Sequence, residues 1–100
     1  MKSALETRLA ALAAAGETVA YGALARDLGL RMAELTAQLE ALMETDAAQG
    51  LPFRAAVLRQ RLSPDQLPAP GFFLKAQALG HDTSHRQAFT ADHRKRLRAA

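Results

Sequence analysis

A mainly α fold with three core helices, a strand and wing, and C-terminal helices is predicted by three observations. Leucines recur at helical spacing in three segments before residue 50, and glycines punctuate those segments. A basic segment and a Pro/Gly-rich loop follow, and then two further helical stretches. The charge changes sign half-way: residues 1–50 carry 4 basic and 7 acidic groups, and residues 51–100 carry 9 and 3, for a net +3 over the chain. The length of 100 residues is that of one domain, so residues 1–100 are expected to fold as one unit.

The first helix is expected over "SALETRLAALAAAG". Ser3 and Glu6 have the spacing of a capping box, in which each side chain satisfies a backbone N–H of the first turn. Leu5, Leu9 and Leu12 then share one face, and Gly16 suits the left-handed residue that closes a helix. Glu17 to Ala20 is short and extended. "YGALARDLG" gives a second helix, with Leu24 and Leu28 on one face and Gly29 as its stop. A third runs from about Met32 to Ala48. Met32, Leu35, Leu39 and Leu42 form its apolar stripe, and Glu34, Glu40, Glu44 and Asp46 lie on its other face.

Gly50 and Pro52 end that helix. "FRAAVLRQRL", Phe53 to Leu62, is bounded by turn residues and is expected to be a strand followed by a turn. "SPDQLPAPG" is a loop, "FFLKAQALG" a short helix ended by Gly80, and "SHRQAFTADHRKRLRAA" a last helix in which Ser84 and Gln87 have capping-box spacing. Three helices followed by a strand and a Pro/Gly loop is the layout of a winged helix-turn-helix domain. The second wing strand has no clear counterpart in the sequence.

Val19 and the run Tyr21-Gly22-Ala23-Leu24-Ala25 resemble the V-x-Y-G-x-[IL]-A start of the DNA-binding domain of alkylguanine alkyltransferases and alkyltransferase-like proteins. The resemblance implies that this segment opens the helix before a recognition helix. Gly50 to Arg61 falls where that family has its reactive loop. In the register that lays Leu51-Pro52 on the family's x-P, Arg59 takes the place of the loop arginine and Val57 that of the reactive Cys. The nucleophile is absent, and the loop's His and prolines are missing too, so alkyl transfer does not carry over. The pattern "GLP…AxVLR…P-x-P-G-F-F" is also similar to small bacterial proteins of winged-helix type, a likeness that implies no defined activity.

Several function classes are excluded at this point. With no Cys there is neither a disulfide framework nor thiolate chemistry. No apolar run approaches the roughly 20 residues of a bilayer span. The N-terminal segment interrupts its apolar pattern with Glu6 and Arg8, unlike a secretory signal, so the expected location is cytoplasmic. Ser3, Ser63 and Ser84 lack a nucleophile's context, and the carboxylates form no pair. No enzyme activity and no cofactor are expected. His81, Asp82, His85 and His93 do not have the spacing of one metal site, so no metal is expected either.

The remaining candidates are cations and aromatics. A helix-turn-helix reading sets Arg31 at the start of the third helix, where base edges are contacted, although the four acids after it oppose phosphate. Arg54, Arg59 and Arg61 flank the expected strand. In an alternating strand Arg59 and Arg61 point to one side and form a basic stripe. Arg94, Lys95 and Arg96 lie near the chain end, as phosphate contacts or as complements to a helix dipole. Phe72 and Phe73 either form an exposed ledge for a partner or pack in the core. The function these features suggest is a non-catalytic nucleic-acid-binding or regulatory accessory module, with double-stranded DNA as partner and no membrane. The alternative is a protein–protein interaction domain that keeps the shape without DNA, binding another protein or a second copy.

Overall fold

The computed structural model describes residues 3–99 and is mainly helical. The element order is α1 (Ala4–Ala15), β1 (Val19–Ala20), α2 (Tyr21–Leu28), α3 (Met32–Ala48), a 3₁₀ turn (Arg54–Val57), β2 (Leu58–Arg59), α4 (Pro70–Ala78) and α5 (Arg86–Ala99).

Local chemistry sets the helix ends. At α1 both halves of the capping box form: Ser3 Oγ accepts from the N–H of Glu6, and the N–H of Ser3 donates to Glu6 Oε1. Gly16 (φ +69°) and Gly29 (φ +67°) close α1 and α2 in the left-handed conformation that glycine adopts without a Cβ clash. The N–H groups of Glu17 and Leu30 then reach back to Leu12 O and Ala25 O, so carbonyls at each helix end stay paired. The fourth helix begins at Pro70, two residues before the expected start, because proline fits the first helical position with its preset φ and missing N–H.

Two expectations are corrected. The strand expected over Phe53–Leu62 shrinks to Leu58–Arg59, preceded by the 3₁₀ turn. Phe53 and Ala55 to Leu58 are all buried, with none of the alternation of a half-buried strand. Two of the segment's N–H groups are also taken by side chains: Phe53 donates to His93 Nδ1 and Arg54 to Asp46 Oδ2. The second correction concerns α5. Ser84 points its N–H and hydroxyl at Asp82 Oδ1 instead of capping with Gln87.

The two short strands pair in parallel, Val19 with Leu58 and Ala20 with Arg59. This pair ties the entry to α2 to the exit of the 3₁₀ turn. Among the described residues no strand follows β2. One hydrophobic cluster draws on every helix: Leu5 and Leu9 from α1, Leu24 from α2, Leu35, Leu39 and Met43 from α3, Phe72 and Phe73 from α4, with Phe89 of α5 packed on it. Phe53 and Leu58 sit at its centre with no exposed surface. Each such side chain contributes about 1.5–3 kcal/mol through the apolar area it removes from water. No helix among the described residues is long and apolar enough to cross a membrane.

Candidate nucleic-acid interface

The seven cations singled out by sequence separate into different environments. Arg31 is the N-cap residue of α3. Its N–H donates to Glu34 Oε1 at 2.9 Å, and its exposed guanidinium lies 3.4 Å from the same oxygen. The outward face of α3 beyond it carries Glu34, Glu40 and Glu44, and Glu44 holds Lys75 of α4 at 2.8 Å. That face repels phosphate.

Arg54 is committed inside the protein. It begins the 3₁₀ turn with its N–H on Asp46 Oδ2, its guanidinium on both oxygens of buried Asp46 and its other arm 3.0 Å from Glu6 Oε2. Burial draws the Arg54 pKa down, and the hydrogen bonds and charges of Asp46 and Glu6 outweigh it and raise it. The Glu6 pKa is lowered, first by the Ser3 N–H it accepts and then by Arg54. This triad ties α1 to the end of α3 and the 3₁₀ turn. It leaves Arg54 no free donor set for a phosphate.

Arg94 is a clamp. It projects from α5 across the strand pair and donates to Ala56 O, Leu58 O and Gln66 O at 2.6, 3.2 and 2.6 Å. Those carbonyls belong to the 3₁₀ turn, β2 and the loop after it, so one side chain fixes three consecutive pieces of chain to α5. Burial lowers its pKa, and among the described residues no carboxylate neutralises it. Arg96 lies 3.5 Å from Asp92 one turn earlier on the same helix.

The remaining cations lie at the strand pair and the cleft beside it. Arg59 ends β2, and Arg61 sits in the turn that follows. Because β2 stops at Arg59, no continuous strand aligns the two. Neither has an ion-pair partner among the described residues. Thr18 and Val57, each one residue before a strand, form one wall of a cleft of about 220 Å³. Arg94, Lys95 and Arg98 of α5 form the other. Among the described residues Glu17 is the single carboxylate lining it. The Arg98 guanidinium lies against Gly16, where a Cβ would come within 3.2 Å of it. It thereby also faces the C-terminal, negative end of α1.

Phe72 and Phe73 do not form a ledge. They are 6% and 2% exposed, set edge-on to each other at 5.1 Å, and packed against Phe53 and Phe89. Tyr21 is turned inward as well, its hydroxyl accepting the N–H of Ala69 at 3.0 Å. His93 is a core residue. The sequence carried a signal for this: Phe89, His93 and Leu97 recur at four-residue spacing, so the histidine sits on an apolar stripe. Among the described residues no three His, Asp or Glu side chains converge as metal ligands.

No protein-family model, curated protein or solved structure matches the chain.

Proposed function

We propose that this protein is a non-catalytic nucleic-acid-binding or regulatory accessory module of winged-helix type that contacts phosphate through the α5 cleft and the strand pair. The observation that carries the reading is that Lys95 and Arg98, neither with an ion-pair partner among the described residues, line one cleft with Glu17 as the single carboxylate among those residues, beside Arg94, whose guanidinium is held by backbone carbonyls. Arg59 and Arg61, on the strand and turn adjoining it, extend the set. Backbone phosphates are recognised by such fields without reading sequence. The acidic outward face of α3 makes that helix a poor groove reader, so binding by this surface is largely independent of sequence. The cytoplasm is the compartment in which such a module works.

Fluorescence anisotropy of a labelled random-sequence duplex, titrated with protein across a salt series, tests the reading. Micromolar binding that weakens steeply with salt is expected. Lys95→Ala or Arg61→Ala should each reduce the slope of log K against log salt by about 0.9, one released counterion per lost phosphate contact. Arg8→Ala, which removes an exposed ion pair with Asp27, should leave the slope unchanged. Absence of binding at low salt overturns the reading and favours a protein-interaction domain.

A further inference from the structure

We propose that this chain self-associates head to tail, with Leu62 of one copy seated in the apolar cavity between α2, α3 and α4 of the next. The inference does not depend on the nucleic-acid reading.

The inserting group is a single side chain on a well-fixed loop. Residues 60–67 are closed by Gln60 N–H to Leu67 O at 2.9 Å and Leu67 N–H to Ser63 Oγ at 3.1 Å. Inside the loop, Ser63 and Gln66 donate to Gln60 O and Ser63 O. Arg94 fastens Gln66 O to α5 from below. Leu62 stands on this loop at 88% exposure, the most exposed large apolar residue among those described. Presenting it therefore costs a partner little ordering entropy.

The receiving site is a cavity of about 170 Å³ walled by Met32, Leu39, Met43, Ala55, Phe72 and the ring of Tyr21. An apolar cavity of about 150 Å³ is large enough to hold benzene, so a four-carbon side chain fits. The two methionines can adjust to its branch. Met32 is 49% exposed at the mouth and would be covered by the incoming loop.

Charge selects the orientation. Glu40 lines the cavity without an ion-pair partner among the described residues, whereas Glu34 and Glu44 of the same helix are paired with Arg31 and Lys75, so Glu40 is the acid that an incoming cation meets. Arg59 and Arg61 accompany Leu62. Loop into cavity joins the basic half of one chain to the acidic half of another. A face-to-face arrangement would oppose α3 to α3 and like charge to like. The contact uses two different surfaces, so it is heterologous, closing into a ring or extending as its rotation dictates.

Sedimentation velocity from about 0.01 to about 1 mM protein tests the proposal, with Leu62→Asp and Gly71→Trp as variants. Gly71 lines the cavity, and a Cβ there meets nothing within 4 Å, so the indole fills the mouth without entering the core. The wild-type chain should gain mass with concentration, less so at high salt, and each variant should stay monomeric with an unchanged circular dichroism spectrum. A 1:1 mixture of the two variants should form a dimer, since the Leu62→Asp chain keeps its cavity and the Gly71→Trp chain keeps its leucine. A wild-type chain that stays monomeric at about 1 mM overturns the proposal. So does a Leu62→Asp chain that associates like wild type, or a mixture that stays monomeric. A monomeric wild type whose Leu62→Asp variant loses duplex affinity would assign Leu62 to nucleic acid instead.

Discussion

The backbone N–H of Phe53 donates to His93 Nδ1 across 2.9 Å, and the two rings stack with centroids 5.1 Å apart. The imidazole must be neutral to accept, with its proton on Nε2. Burial, aided by the positive Arg96 and by His81, lowers its pKa from 6.5 to about 4, against the smaller opposing pull of Asp92 and Asp46. The unfolded chain therefore binds the proton first. The stabilisation is complete above about pH 6.5 and is lost as pH falls through about 4, by up to about 3 kcal/mol. Urea midpoints measured between pH 7 and pH 4 should fall accordingly. Gln at position 93 keeps an acceptor and does not titrate. His93→Gln should be less stable at pH 7 but flatter across that window. An equal fall in the variant would place the titration elsewhere.

Asp46 is 1% exposed and carries three hydrogen bonds from Arg54, one of them from its backbone. Removing Asp46 leaves the partly buried Arg54 with Glu6 as its one remaining acid and its backbone N–H without an acceptor. Asp46→Ala should cost about 3–5 kcal/mol by denaturant unfolding. The double variant Asp46→Leu/Arg54→Met should be more stable than Asp46→Ala alone, because it removes both charges and refills the space. If the double variant is the weaker, the pair contributes more than its desolvation costs.

How much of this was legible in the sequence follows from where each interaction partner lies. The ends of α1, α2 and α3 rest on contacts within four or five residues, such as Ser3 with Glu6, and on glycines that stop a helix, so pattern alone located them. The segment 53–59 rests on partners far along the chain. Phe53 meets His93 forty residues away, and Arg54 meets Glu6 across forty-eight. Spacing arguments do not reach that far, and by its bounding turn residues alone the run is indistinguishable from a strand. The same distance explains the cations. Arg54 and Arg94 look like free surface charges in sequence because their carboxylate and carbonyl partners come from other elements. Lys95 and Arg61 are exposed and Arg59 is half-buried, and none of the three has an ion-pair partner among the described residues.

Tyr21 opens α2, and its hydroxyl receives the Ala69 N–H just before α4 begins. Burial raises the phenol pKa, opposed by that hydrogen bond and by the charge of Arg94. The hydroxyl is thus a structural acceptor that joins the two segments flanking the apolar cavity. Tyr21→Phe leaves the Ala69 N–H without its partner and should cost about 1–3 kcal/mol. Hydrogen exchange at Ala69 should quicken by a larger factor than exchange in α1. Uniformly faster exchange would mean a global loss of stability and not a local tether.

Thr90 lies on the buried side of α5, 1% exposed, and its hydroxyl has no hydrogen-bond partner among the described residues. A buried hydroxyl without a partner retains its desolvation cost and gains nothing in return. Valine keeps the branched shape and removes the polar atom. Thr90→Val should therefore be neutral or stabilising by about 0.5–2 kcal/mol, against the usual destabilisation by a buried substitution. Thermal unfolding at pH 7 reads the sign directly. A loss of more than about 1 kcal/mol would show that the hydroxyl is hydrogen-bonded in solution, with an ordered water in the neighbouring cleft of Gln87 and Arg94 as its partner.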